Sequence, residues 1–227
     1  MKSTYRFKFH HIAKEKNFIG VELGNDLKRK VPRFCVVDPK VNVTYTSAWA
    51  NASTTLATIT GTAVNEVFSG SALYAQTIDG GDGSDTADYS YATVVTANLN
   101  TGKVTEGSNS IVDTVLNIEN VIGGAGSDLL IGNSANNLLD ARAGNDVIYG
   151  GAGNDIVVAT LTAGNKMVGG DGTDVLSLAV AATASTATGV SGFETFRLTA
   201  NTTQDMVQFL DNSTFTRIEG ALAGATT

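Results

Sequence analysis

GGAGSDLLIGNSANNLLDARAGNDVIYGGAGNDIVV, residues 123–158, divides without remainder into four blocks of nine. Stacked as GGAGSDLLI, GNSANNLLD, ARAGNDVIY and GGAGNDIVV, the blocks agree column by column. The sixth column holds Asp128, Asn137, Asp146 and Asp155, and the eighth holds Leu130, Leu139, Ile148 and Val157. Each block opens on a glycine-rich turn, where positive φ is tolerated and backbone carbonyls can crowd together. It closes on three residues able to extend.

An apolar residue at one fixed phase of a nine-residue period fits neither an amphipathic helix nor a hairpin. It fits a solenoid of turn, short strand, turn, short strand, with successive coils about 4.8 Å apart. The eighth column is then the core. Two blocks per coil place Asp128 under Asp146 and Asn137 under Asp155. Carboxylates stacked within a Debye length repel unless something neutralises them. Carboxylates beside turn carbonyls suit a hard divalent cation, and the flexible cage favours calcium over magnesium. The array contains no Cys or His, so zinc and copper lack their preferred ligands.

Working outward, GGDGSDTAD at 80–88 and GGDGTDVLS at 169–177 are further well-formed copies, and ITGTAVNEVFSG at 59–70 is a decayed one with Glu66 in the acidic column. LTAGNKMVG is degenerate and puts Lys166 where an Asp is expected, which would end or empty a site. Between 89 and 122 the period breaks; ATVVTANL and GKVTEG read as two strands around the turn Asn100-Thr101-Gly102. VNVTYTSAW near residue 41, and GFETFRLTA and FTRIEG after residue 178, also read as strands. The expected organisation is a basic segment at 1–40, a β-rich lead-in at 41–79 and a calcium-binding roll at 80–178, with a β insertion near 89–122. A closing β segment at 179–227 completes it, and the chain ends as a piece of a longer protein would.

The net charge of −7 conceals an asymmetry. Residues 1–40 hold ten Lys or Arg against four Asp or Glu, together with both histidines, both prolines and the single Cys35. The remainder holds five basic and eighteen acidic residues, a balance that suits cations and argues against nucleic acid. Lys28-Arg29-Lys30 reads as a solvated face rather than a docking patch. One cysteine allows no internal disulfide. No apolar run reaches membrane-spanning length, so no membrane span is expected.

The blocks GGAGSDLLI, GGAGNDIVV, GGDGSDTAD and GGDGTDVLS resemble the glycine-rich nonapeptide of RTX proteins, the hemolysin-type calcium-binding repeat, and NIENVIGGAGSDLLIG resembles that family's lead-in. The resemblance covers about residues 77–178. It implies an all-β fold, a parallel β-roll holding about three calcium ions between the turns of blocks two apart. Carried over, one ion falls to Gly123, Gly124, Gly126 and Asp128 facing Gly144 and Asp146. A second uses Gly132 and Asn137 with Gly150, Gly151, Gly153 and Asp155. A third lies between Asp155 and the turn of Gly169, Gly170, Gly172 and Asp174, across one extra residue. The copy bearing Gly80, Gly81, Gly83 and Asp85 has no partner eighteen residues away. Ala141 and Arg142 depart from the pattern by replacing a glycine pair.

No catalytic residue is expected. His10 and His11 are adjacent and lack the His-Glu-X-X-His spacing of a zinc protease, and GVSGF does not match Gly-X-Ser-X-Gly. The remaining reading is a calcium-dependent structural or adhesive module of a secreted or cell-surface bacterial protein. Its partners would be calcium and either another copy of itself or a cell-surface component. GGDGTDVLSL and VSGFETFRLTA are similar to segments of bacterial surface-layer proteins and large RTX adhesins. The alternative is the calcium-responsive part of a secreted RTX toxin or hydrolase whose catalytic domain lies elsewhere. Resemblance also suggests type I secretion and an extracellular location.

Overall fold

The computed structural model describes residues 19–20, 35–36, 42–44, 57–70, 75–107, 111–179, 189–199 and 215–220. His10, His11 and the Lys28-Arg29-Lys30 cluster lie outside them. The described residues are all β, a parallel solenoid of about seven turns built from two facing ten-stranded sheets. None of them forms a helix long and apolar enough to cross a membrane.

The first sheet stacks the strands Val67–Ser69, Thr86–Asp88, Asn120–Ile122, Leu138–Arg142, Ile156–Ala159, Val175–Leu178, Thr195–Leu198 and Arg217–Gly220 in parallel. The antiparallel pair Ile19–Gly20 and Cys35–Val36 extends its near end. The second sheet runs from Asn42–Thr44 through Ala57–Thr60 and Gln76–Asp79 to Val95–Asn98, Leu129–Ile131, Val147–Ala152, Lys166–Asp171 and Val190–Ser191. Asn42–Thr44 pairs antiparallel with Ala57–Thr60.

Register follows the two-block coil. Leu130 pairs with Ile148, and Val121 with Leu139 and then Val157. In Leu129–Ile131 the middle residue alone is buried, because successive side chains in a strand alternate faces. The eighth column is therefore the core: Ala87, Leu130, Leu139, Ile148, Val157 and Leu176 are all wholly buried. Later coils lengthen, so that Ile148 meets Met167 and Leu176 meets Phe196, and the extra residues sit in turns. Parallel stacking begins before residue 80, at Ala57–Thr60, and continues after 178 to Arg217–Gly220.

The lengthening corrects one expectation. Lys166 does not occupy the acidic column; it pairs with Val147, and Asn165 takes the place above Asp146. One added residue in the turn shifts the register, Met167 becomes the core residue, and the Lys166 ammonium lies 5.2 Å from the centre of the Tyr149 ring.

The period break at 89–122 is an insertion into the second sheet only. Val95–Asn98 and Lys103–Glu106 form the expected antiparallel pair, with Gly102 at φ 62° in the turn. A third strand, Ile111–Leu116, returns to pair antiparallel with Lys103–Glu106 and parallel with Gln76–Asp79. The first sheet meanwhile passes directly from Thr86–Asp88 to Asn120–Ile122. Two extra strands make the second sheet longer by about 10 Å at this level. The wedge is filled by Tyr89, which is wholly buried, and by the buried polar residues Gln76, Glu106 and Asp113.

Truncating the wholly buried Leu139 to Ala is expected to cost about 2–5 kcal/mol. The same change at its half-exposed neighbour Leu138 should cost about 0.5 kcal/mol or less. Urea unfolding of both variants in saturating calcium checks the difference; equal losses would place the core on the wrong face.

Candidate metal centre

Strand alternation decides where the acidic column points. Positions six and eight of a block lie two apart, so the acid faces the same side as the core residue. Asp85, Asp146, Asp155 and Asp174 are accordingly wholly buried, and Asp128 and Asn137 nearly so. A buried carboxylate needs hydrogen bonds or a countercharge.

Backbone N–H groups supply half of that need. The N–H of Asp128 donates to Asp146 Oδ1 at 2.9 Å, that of Asn137 to Asp155 Oδ1 at 2.8 Å, and that of Asp155 to Asp174 Oδ1 at 2.8 Å. The first two bonds span eighteen residues and the third nineteen, so the extra residue before Asp174 does not interrupt the stack. The copy at 80–88 also has neighbours. Glu66 N–H donates to Asp85 Oδ1 at 2.7 Å across nineteen residues, and Asp85 N–H donates to Glu119 Oε2 at 2.9 Å across thirty-four. Asp174 N–H reaches Glu194 Oε2 at 2.7 Å. Glu119, Glu194 and Asn165 thus belong to the columns although the sequence reading did not single them out. Irregular coil lengths hide them from a search at fixed period.

The second carboxylate oxygens divide into two groups. Asp128 Oδ2 accepts from Gly124 N–H at 2.7 Å, and Asn137 is bonded at both ends, accepting from Asn133 N–H and donating to Glu119 O. Asp85, Asp146, Asp155 and Asp174 each keep Oδ2 buried with no hydrogen-bond partner. Those four orphaned oxygens are the strongest sign that a cation belongs there.

The glycines shape the spaces around them. A Cβ at Gly150 would overlap both Asp155 Oδ2 and the Gly169 carbonyl oxygen; one at Gly169 would crowd Asp174 Oδ2 and Gly192 O; one at Gly80 would crowd Asp85 Oδ2 and Asn117 O. At Gly132 the neighbours are Asn137 Oδ1 and Gly150 O, at Gly123 Asp128 Oδ2, and at Gly144 Asp146 Oδ1 and Gly126 O. A side-chain oxygen of the sixth column and a backbone carbonyl oxygen therefore converge at the opening glycines Gly80, Gly132, Gly150 and Gly169, and at Gly144, the fourth residue of its block. The other turn glycines, Gly81, Gly83, Gly124, Gly126, Gly151, Gly153, Gly170 and Gly172, lie against backbone of the turn one coil back. Gly151 and Gly153 do so at φ 116° and 110°, where a side chain would be strained. Arg142, which replaces a glycine, accepts φ 62° at a bulge and donates from its guanidinium to Ser90 O at 2.8 Å.

No Lys or Arg among the described residues forms a salt bridge with the column acids, although the Arg142 charge acts favourably on Asp128. Among the described residues the salt bridges join Arg197 and Arg217 to Glu219. No three His, Cys, Asp or Glu side chains converge among the described residues either, so a bound ion would draw on one or two carboxylates and on turn carbonyls. That donor set, all hard oxygen, fits calcium.

Burial raises the carboxyls of Asp85, Asp128 and Asp155 to about 6, with the neighbouring acids adding to the effect. The folded state then holds more protons than the unfolded one between about pH 4 and 6, so stability falls as pH rises through that window. Without calcium, the melting temperature is expected to be higher at pH 5 than at pH 7.5. In saturating calcium, which needs the ionised carboxylates, the order should reverse. Thermal melts in chelator and in calcium at the two pH values check both signs.

No curated protein matches the chain. Residues 122–157, which include Asp146 and Asp155 of the four acids with orphaned oxygens, match the family model of the RTX calcium-binding nonapeptide repeat and carry four copies of it.

Proposed function

We propose that the chain is a calcium-dependent structural or adhesive module of a secreted or cell-surface bacterial protein, and that calcium drives its folding. The observation that carries this reading is the set of buried, unpartnered Oδ2 atoms on Asp85, Asp146, Asp155 and Asp174. About three ions would be held by the turns bearing Gly123, Gly124, Gly126, Asp128, Gly144 and Asp146; Gly132, Asn137, Gly150, Gly151, Gly153 and Asp155; and Gly169, Gly170, Gly172 and Asp174. Bound calcium supplies the positive charge that the protein does not. The residues themselves set the coil register, keep the carboxylates buried and leave one oxygen each of Asp146, Asp155 and Asp174 without a partner.

At a tenfold excess over Kd each filled site adds about 1.4 kcal/mol to folding. Three sites of extracellular-type affinity are a large share of a small domain's stability. The same chain would be loose where calcium is scarce, as export requires, and folded at millimolar calcium outside the cell. Its role there is scaffolding or adhesion rather than catalysis.

Far-UV circular dichroism in EDTA, titrated with calcium and separately with magnesium, tests the reading. A cooperative gain of β signal with calcium alone is expected. A β spectrum that neither ion changes would overturn it. Asp155→Asn separates charge from packing: it should raise stability in chelator, by removing a buried repulsive charge, and reduce the stabilisation that calcium gives.

A further inference from the structure

The wedge created by the inserted strands holds a second kind of polar group. Gln76, at the start of Gln76–Asp79, and Asp113, in Ile111–Leu116, are both wholly buried, and Glu106, at the end of Lys103–Glu106, is 4% exposed. All three lie at the corner where the chain enters the second sheet. Gln76 N–H donates to Asp113 Oδ1 at 2.7 Å, and the Tyr89 hydroxyl donates to Asp113 Oδ2 at 3.0 Å. Glu106 faces Asp113 and the Tyr91 hydroxyl, yet neither of its oxygens accepts a well-aligned hydrogen bond. The Gln76 amide, in register beside Asp113 and turned to the same interior, has no partner at oxygen or nitrogen. Among the described residues neither acid has a Lys or Arg in salt-bridge range.

We propose that Glu106, Asp113 and Gln76 form a cation site, separate from the glycine turns, that takes a hard divalent ion of the calcium type. Both oxygens of Glu106 and the amide oxygen of Gln76 are buried without an aligned hydrogen bond, and each residue neighbours Asp113. A proton shared between the two acids would still leave the Gln76 amide oxygen without a partner. A cation with six to eight oxygen ligands satisfies all three, and draws on Asp113 as well. The Tyr89 hydroxyl fixes the Asp113 carboxylate from behind, as outer partners of metal ligands do. Tyr91, 45% exposed and beside Glu106, marks the path to solvent. Glu106 and Asp113 are side chains of the insertion, Gln76 belongs to the strand beside it, and none of the three sits in a nonapeptide turn.

Counting bound calcium on the full chain by equilibrium dialysis tests the proposal. Glu106→Gln is expected to bind one ion fewer than the parent, while Asp155→Ala loses turn ions and keeps this one, so failure of either site is told from failure of the other. A Glu106→Gln protein that binds as many ions as the parent would overturn the proposal and leave a shared proton or a buried water in the corner. If Glu106→Gln does not fold, Gln76→Leu decides. Loss of one neutral ligand should weaken one ion on the order of tenfold, whereas unchanged affinities in a more stable protein would overturn the site.

Discussion

The backbone N–H of Asp155 donates to Asp174 Oδ1, and the spacing of every regular coil rests on bonds of this kind. A parallel ladder alone would let neighbouring coils slip by two residues and still pair. The side-chain bond from acid to backbone pins one register, because it ties a turn to a particular residue of the coil beyond. It also uses one carboxylate oxygen and strands the other inside the roll. Register and cation demand are thus two consequences of a single contact.

The burial of that carboxylate explains why the turns are glycine-rich. The acid's free oxygen and the carbonyl of the next coil both press on the opening glycine of the block, at Gly150 and again at Gly169. Any side chain there would fill the space between the oxygens. The oxygens repel one another without an ion, so the arrangement is least favourable when empty. A bound cation would relieve that repulsion, adding to the stability that the continuous apolar core supplies.

Much of this was legible in four blocks of nine. The core column, the acidic column and the stacking of Asp128 under Asp146 follow from the period, because equal spacing in sequence becomes equal height in a solenoid. The period says nothing once a coil changes length. Asn165 rather than Lys166 sits above Asp146, and Glu119 and Glu194 join the column thirty-four and twenty residues after their neighbours. Backbone pairing fixes height there, and the turns absorb the surplus. The strand Ile111–Leu116 and its corner with Glu106 were equally hidden, since an insertion in one sheet leaves the other sheet's pattern untouched.

The glutamates in the first sheet's column show what happens where a nonapeptide turn is missing. At the regular coils the acid's own N–H points forward, as from Asn137 to Asp155 and from Asp155 to Asp174. At Glu119 and Glu194 it points back: Asp85 O accepts from the N–H of Glu119 and Asn120, and Asp174 O accepts from those of Glu194 and Thr195. The backbone there turns one residue early, without the five-residue glycine approach. The longer glutamate arm compensates by reaching the N–H of Asp85 or Asp174 with Oε2. Two runs of forward bonds result, Glu66 to Asp85 to Glu119 and Asn137 to Asp155 to Asp174 to Glu194, each closed by a glutamate whose N–H is no longer free to continue the relay. Side-chain length alone does not end a run, since Glu66 donates forward to Asp85; what ends it at Glu119 and Glu194 is the N–H turned back to the carbonyl of the coil before.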